Sequence, residues 1–249
     1  MSKVIFVGAG PGDPDLITVK GRRALEEADM VVYAGSLVPE VMLSWASETA
    51  VLIDSASLTL QEIVEMLVRA VEEGLTVVRL HSGDPAVFGA IGEQIDALEV
   101  NGIDYEIIPG VTAAFAAAAA LGRELTMPEV SQAVIFARVG GRTPVPAGQE
   151  IDNLARSNAT LCVYLSVQQV DELDAALKSH YPPQTPAAVV YHASRPDERV
   201  FRTTVAQMAQ TIKDAGLTKT TIILVGAALA GPSNRSRLYD EEFRHGFRE

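Results

Sequence analysis

With 249 residues, 48% of them hydrophobic and 21% charged, the chain has the make-up of a globular protein large enough for one sizeable core or two smaller ones. Its 20 Lys and Arg stand against 32 Asp and Glu, a net charge of −12, which excludes a global attraction for nucleic acid or anionic lipid and leaves an acidic small molecule to be held by local basic groups. The single cysteine, Cys162, excludes an intramolecular disulfide, and His81, His180, His192 and His245 lack metal-ligand spacing, so no metal is expected.

In chain order, residues 4–7 form a short apolar run ended by glycines and read as a buried strand. Residues 18–28 read as a helix with Thr18 as N-cap, and 30–33 as a second strand. Residues 60–73 place Ile63, Leu67, Ala70 and Val71 on one helical face, with Gly74 closing the helix. A strand at 76–80, a helix at 90–100, a strand at 105–108 and an alanine-rich helix capped by Thr112 follow. Strands separated by helices predict a parallel, doubly wound sheet.

The second half predicts strands at 133–137, 160–165, 187–192, 199–204 and 221–225, with helices at 169–178 and 205–214. The 187–192 and 199–204 pair is read as adjacent and antiparallel. Residues 138–149 are rich in Gly and Pro and predict a loop; the polar tail from Pro232 is expected to be exposed. The longest apolar stretch, 111–121, falls short of the roughly 20 residues of a membrane span, and the N-terminus runs straight into a strand. A cytoplasmic protein with no membrane partner is expected. The fold class expected is α/β in two domains, residues 1–121 and 122–249.

Four glycine turns fall at the carboxyl ends of predicted strands: GAGPGDP (8–14), SGDP (82–85), PGVT (109–112) and VGAAL (225–229). Ligands of open parallel sheets bind outside those ends, and glycine lets main chain reach a ligand with no β-carbon in the way. The first turn fails the dinucleotide pattern G-x-G-x-x-G, because Asp13 stands at the last glycine and Pro11 lies inside the turn. The second strand ends without the acid that would hold a nicotinamide ribose, and there is no P-loop. Asp84 is a candidate for ribose hydroxyls or an ammonium group; its blander role is to cap its own turn.

The motifs GAGPGDPDLIT, HSGDPAVFGA, IPGVTAAFAAAA and VYLS resemble those of the tetrapyrrole methylases over nearly the whole chain, from Val4 to about Leu229. Within that family, YAGSLV (33–38), the alanine-rich helix and GRTPVP (141–146) most resemble the branch that methylates C11 of precorrin-4, with or without cobalt, on the way to cobalamin.

The resemblance implies two α/β domains with a cofactor cleft between them, usually in a homodimer, and S-adenosylmethionine as methyl donor. Carried over residue by residue, it assigns the donor to Pro11, Ser82, Gly83, Asp84, Val87, Thr112, Ala113, Leu165, Ala193, Gly226 and Ala227. The other partner it implies is a small-molecule tetrapyrrole. Tyr33, Ser36, His81, Arg138 and Arg142 are candidates for its face, and Arg195 and Arg199 also border predicted loops; guanidinium groups suit its many carboxylates. Uroporphyrinogen methylases carry an Asp just after the Tyr33 equivalent, proposed as a base, and a Lys proposed as an acid. Here those stretches read Ala34-Gly35-Ser36 and Ile53-Asp54-Ser55, which disfavours that step and leaves the general base unassigned.

Overall fold

The computed structural model describes residues 3–141, 143–231 and 244; Arg142 and the rest of the tail expected from Pro232 lie outside the described residues. The chain divides into two compact units, one running to Ala116 and including Ser194–Asp197, the other formed by the remainder.

The first unit holds a five-stranded, all-parallel sheet of β1 (Val4–Gly8), β2 (Met30–Tyr33), β3 (Val51–Asp54), β4 (Val77–His81) and β5 (Tyr105–Ile108), in the order β3-β2-β4-β1-β5. Both faces of the inner strands are covered, so β1 and β4 are buried throughout, and β1 is apolar but for its final glycine. On one face α1 (Val19–Glu26) and a 3-10 segment, Glu40–Trp45, pack Leu25 and Met42, with Val38 just before the segment, against Val7, Val31, Val78 and Leu80. On the other, α2 (Leu60–Glu72) and α3 (Gly92–Val100) pack Ile63, Leu67 and Leu98 against Val4, Phe6, Val32 and Val77.

Helix ends are set locally. Thr18 Oγ1 accepts from the Gly21 amide at 3.0 Å. Thr59 and Glu62 form a reciprocal capping box at the start of α2. The helix read from 90 begins at Gly92, because Phe88 (φ 55°) and Ala90 (φ 48°) take the left-handed conformation. A further helix, α4 (Ala113–Leu121), begins in this unit.

β3 is an element that periodicity did not reveal. It is a short edge strand with Val51, Leu52 and Asp54 all exposed, so it lacks the alternation of a half-buried strand.

The second unit holds a mixed sheet of β6 (Val134–Arg138), β7 (Thr160–Tyr164), β8 (Pro186–Tyr191), β9 (Arg199–Thr204) and β10 (Thr221–Val225), ordered β6-β7-β10-β8-β9. β6 and β7 are parallel; β10 runs antiparallel to both neighbours, and β8 pairs antiparallel with β9 as read from the sequence. Helices α5 (Ile151–Ala155), α6 (Val170–His180) and α7 (Met208–Asp214) bury Leu173, Leu177, Met208 and Ile212 against Leu161, Val163, Val189 and Ile223. Cys162 lies in β7, buried, its thiol pushed up to about 12 by burial, so it is an inert core residue. Among the described residues no helix is long and apolar enough to cross a membrane.

Candidate functional site

β4, β1 and β5 are neighbours and parallel, so the turns that follow them leave one edge of the sheet together. Their main chains touch. A β-carbon on Gly8 would stand 2.6 Å from Gly110 Cα and 2.7 Å from the Gly83 oxygen; one on Gly110 would stand 2.1 Å from that same oxygen. Gly10 and Gly83 exchange amide hydrogen bonds, at 3.2 Å and 2.8 Å, and the Ala9 amide donates to the His81 carbonyl at 2.7 Å. The chain leaves β1 toward β2 over the α1 face and leaves β4 toward β5 over the α3 face, so these adjacent strands flank the topological switch point where open α/β sheets bind ligands.

Seven of the sequence candidates meet at this edge. Pro11, Gly83 and Thr112 are buried; Ser82, Asp84, Val87 and Ala113 are half-buried. Asp84 fills the capping role: Oδ1 accepts from the Ala86 amide and Oδ2 from the Gly110 amide, each at 2.8 Å, so it ties the turn after β4 to the turn after β5. The Thr112 carbonyl opens α4 by accepting from the Phe115 and Ala116 amides. The left-handed Phe88 and Ala90 cost about 1–2 kcal/mol each and lie beside Val87 in the same loop.

Tyr33 and Ser36 sit at the end of β2, half-buried and exposed respectively. Their loop is held by residues the sequence reading did not single out as a group. The Asp54 Oδ1 accepts from the Gly35 amide at 3.0 Å, and the Ser55 hydroxyl and amide donate to the Tyr33 carbonyl, both at 2.9 Å. Arg195 donates to the Leu37 carbonyl at 2.7 Å, and the Ser194 hydroxyl accepts from the Asp13 amide at 2.9 Å, so Ser194 and Arg195 tie together the loops after β1 and β2.

His81 is a correction. Expected at the substrate face, it is 5% exposed, turned onto Phe6 with ring centroids 6.0 Å apart, and its Nε2 has no hydrogen-bond partner. Burial, helped by the nearby Arg79 charge, pushes the imidazole down to about 3, so it is neutral and faces the core. Arg79 is itself buried, donates to Gln94 at 3.1 Å and to the Val32 carbonyl at 3.1 Å, and is pushed down to about 10 by burial. The one signal for it was a lone charge inside the apolar run VVRLH.

In the second unit β6, β7 and β8 run the same way and carry Arg138, Leu165 and Ala193 to one edge. Leu165 is 61% exposed in a left-handed conformation (φ 53°). Arg138 donates to the Thr143 and Pro144 carbonyls at 3.0 and 2.8 Å, so part of its guanidinium is engaged by these two residues. The Arg199 guanidinium lies 4.8 Å over the Tyr191 ring. Gly226 and Ala227 do not join this edge. β10 is antiparallel to β7, so they follow it to the opposite end, where Gly226 (φ 153°) packs against Thr160, a β-carbon there standing 3.0 Å from Thr160 Cα. Strand direction was not legible at this fourth turn.

The three turns of the first unit contain no Lys or Arg, and Pro11 removes an amide from the first of them. Helix α1 starts beyond a 3-10 segment, Pro14–Leu16, with its first turn capped by Thr18. A pyrophosphate wants amides, a bare helix N-terminus and cations, and finds few here. A sulfonium donor carries no phosphate and suits a neutral main-chain cradle with Asp13 and Asp84 nearby.

Comparison with known proteins agrees with this chemistry. Residues 3–209 match the family model of the Tetrapyrrole (Corrin/Porphyrin) Methylases. A cobalt-precorrin-4 C(11)-methyltransferase of Methanocaldococcus jannaschii is 49% identical, with 99% of this chain and 96% of that protein covered. A precorrin-4 C(11)-methyltransferase of Pseudomonas aeruginosa is 46% identical over 98% of each. The crystal structure of a cobalt precorrin-4 methyltransferase superposes with a TM-score of 0.89 at 43% identity, covering 92% of this chain and 96% of that one. A Thermus thermophilus uroporphyrin-III C-methyltransferase complexed with S-adenosylhomocysteine gives 0.76 at 30% identity, covering 92% and 99%. By its glycine turns, its paired α/β units and these likenesses, the chain belongs to the tetrapyrrole (corrin/porphyrin) methylase family.

Proposed function

We propose that this protein is an S-adenosylmethionine-dependent C-methyltransferase of cobalamin biosynthesis, methylating C11 of precorrin-4 or of its cobalt form to give the corresponding precorrin-5. The supporting observation is the contact of Gly8, Gly83 and Gly110, a main-chain cradle at the switch point with no cation in it. Likeness to C11-methyltransferases along nearly the full chain supports the choice of carbon.

In this reading Pro11, Ser82, Gly83, Val87, Thr112 and Ala113 hold the donor, with Asp84 fixing the turns around it; Leu165 and Ala193 are assigned to the donor by the family resemblance alone. The donor brings an already activated methyl group. What the residues add is orientation of the methyl toward the nucleophilic carbon, which can be worth about 7–11 kcal/mol. Tyr33 and Ser36, with Arg138 and Arg142, are assigned to the macrocycle and its carboxylates. Arg142→Ala then raises KM for the macrocycle; an unchanged KM removes that residue from the site.

We assign the protein to the cytoplasm and to a homodimer, the assembly the family resemblance implies; a particle of one chain by light scattering overturns the dimer. The deciding experiment incubates precorrin-4, and separately its cobalt form, with methyl-labelled donor and locates the label by mass spectrometry and NMR. Label on C11 is expected. Label on another carbon, or none, overturns the reading. The two arms also tell whether cobalt is required.

A further inference from the structure

Transfer from a sulfonium to carbon leaves a proton to be disposed of, and the edge that carries the glycine turns holds a carboxylate placed to take it. β2 and β3 are parallel, with Tyr33 opposite Asp54, so both end at that edge. Asp54 Oδ1 accepts from the Gly35 amide at 3.0 Å and the Ala56 amide at 2.8 Å, which fixes the carboxylate against the YAGS loop. Oδ2 carries no hydrogen bond among the described residues, no Lys or Arg among them pairs with Asp54, and the side chain is exposed.

The carboxylate also fills a particular space. A β-carbon on Gly35 would stand 2.2 Å from Asp54 Oδ2 and 2.4 Å from its Cγ. The backbone at Gly35 is not left-handed, and the three atoms nearest to a β-carbon built there all belong to the Asp54 carboxylate. Asp54 thus delivers, from the neighbouring strand, an acidic group into the side-chain space of the loop that follows Tyr33. Competing groups at this edge are occupied otherwise. Asp84 commits both oxygens to amides, His81 is buried, and Asp13 caps the turn after β1, on the donor's side. From β1 to β3 is three strand spacings, about 14 Å, a width on the scale of a tetrapyrrole ring lying across the edge.

We propose that Asp54 is a catalytic residue of the methyl transfer, its Oδ2 accepting the proton that the macrocycle releases. This rests on the C-methyltransferase reading above. The ring carbon attacks the methyl group, the S–CH3 bond breaks with its electron pair left on sulfur, and a C–CH3 bond forms. The cationic donor becomes a neutral thioether, so the macrocycle takes up a positive charge. It loses that charge as a proton, from the ring N–H conjugated with the new centre or, where the nitrogens hold cobalt, from an adjacent C–H. Asp54 takes the proton and returns it to water.

The test is Asp54→Asn, whose side-chain oxygen still accepts from Gly35 and Ala56. S-Adenosylhomocysteine affinity is expected to stay within about twofold, while kcat falls by about 10²-fold or more with little change in KM. A kcat within about twofold of wild type overturns the proposal and leaves Asp54 as a loop anchor. Should the single variant fold poorly, the exchange Gly35→Asp with Asp54→Gly decides. Activity recovered over Asp54→Gly alone supports a carboxylate in that space, and no recovery overturns it. Wild-type protein making labelled product from a substrate other than precorrin-4 would fail the functional reading while leaving the Asp54 comparison intact on that substrate.

Discussion

The Gly110 amide donates to Asp84 Oδ2 at 2.8 Å, joining turns that follow two different strands, while Oδ1 holds the Ala86 amide. One carboxylate therefore sets the spacing of two of the turns to which the donor is assigned under the proposed function. Asp84→Ala leaves both amides to water and is expected to cost about 1–3 kcal/mol of stability, since each bond is to a charged acceptor in a half-buried place. S-Adenosylhomocysteine affinity falls along with it. Asp84→Asn keeps an acceptor and loses less of both. Calorimetric titration and thermal unfolding of the two variants check this. If Asn loses affinity as fully as Ala while stability holds, Asp84 touches the donor directly.

Gly110→Ala asks for space that does not exist, its β-carbon falling 2.1 Å from the Gly83 oxygen. The turns must separate. Expected are a destabilisation of about 1–3 kcal/mol and loss of measurable donor binding. Gly92, at the start of α3, has nothing within 4 Å of where a β-carbon would stand and no left-handed φ. Gly92→Ala is expected to stabilise by about 0.4–1 kcal/mol with activity unchanged. Denaturant titrations of the pair separate close approach from general glycine loss.

The first unit was legible because its physics is local. Buried parallel strands are continuous apolar runs, β1 in particular, and Thr18 and Gly74 mark helix ends in the sequence itself. Pro11, Ser82, Asp84 and Thr112 came together because parallel strands deliver every following turn to one edge. What stayed hidden depends on pairing. β3 has no inward-facing stripe, so only its partner β2 makes it a strand. The reversal of β10 follows from its neighbours and not from TIILV, which reads the same in either direction; that is why Gly226 and Ala227 were grouped with Leu165. His81 stood among the substrate-face candidates because a strand-end histidine looks alike in sequence whether it faces solvent or, as here, Phe6.

Thr59→Ala removes the side-chain half of the capping box that starts α2. The helix packs Ile63 and Leu67 onto the sheet, and Thr59 is not among the residues assigned to the donor or the macrocycle, so the effect is expected in stability. A loss of about 1 kcal/mol is expected, with kcat and donor affinity unchanged. Denaturant midpoint and turnover measured on one preparation check both halves.

Acid should weaken the fold through two groups in separable windows. His81 is held far below its ordinary 6.5, at about 3, first by burial and then by Arg79. The unfolded chain therefore binds a proton that the native chain refuses, and the stability from keeping the ring neutral is whole above about pH 6.5 and drains away as pH falls toward 3. Glu106 is also held low, at about 2, first by its hydrogen bond from Lys20 and then by that from Lys3. Its contribution is present above about pH 4.5 and is lost only as pH falls from there toward 2. His81→Phe keeps a ring against the Phe6 side chain and removes the first loss, so its stability relative to wild type should rise between pH 6.5 and 4.5. Glu106→Gln should follow wild type over that range and diverge only below it. Urea unfolding at stepped pH measures both differences. A His81→Phe protein that parallels wild type from pH 6.5 to 4.5 would mean that His81 takes up its proton without leaving the core.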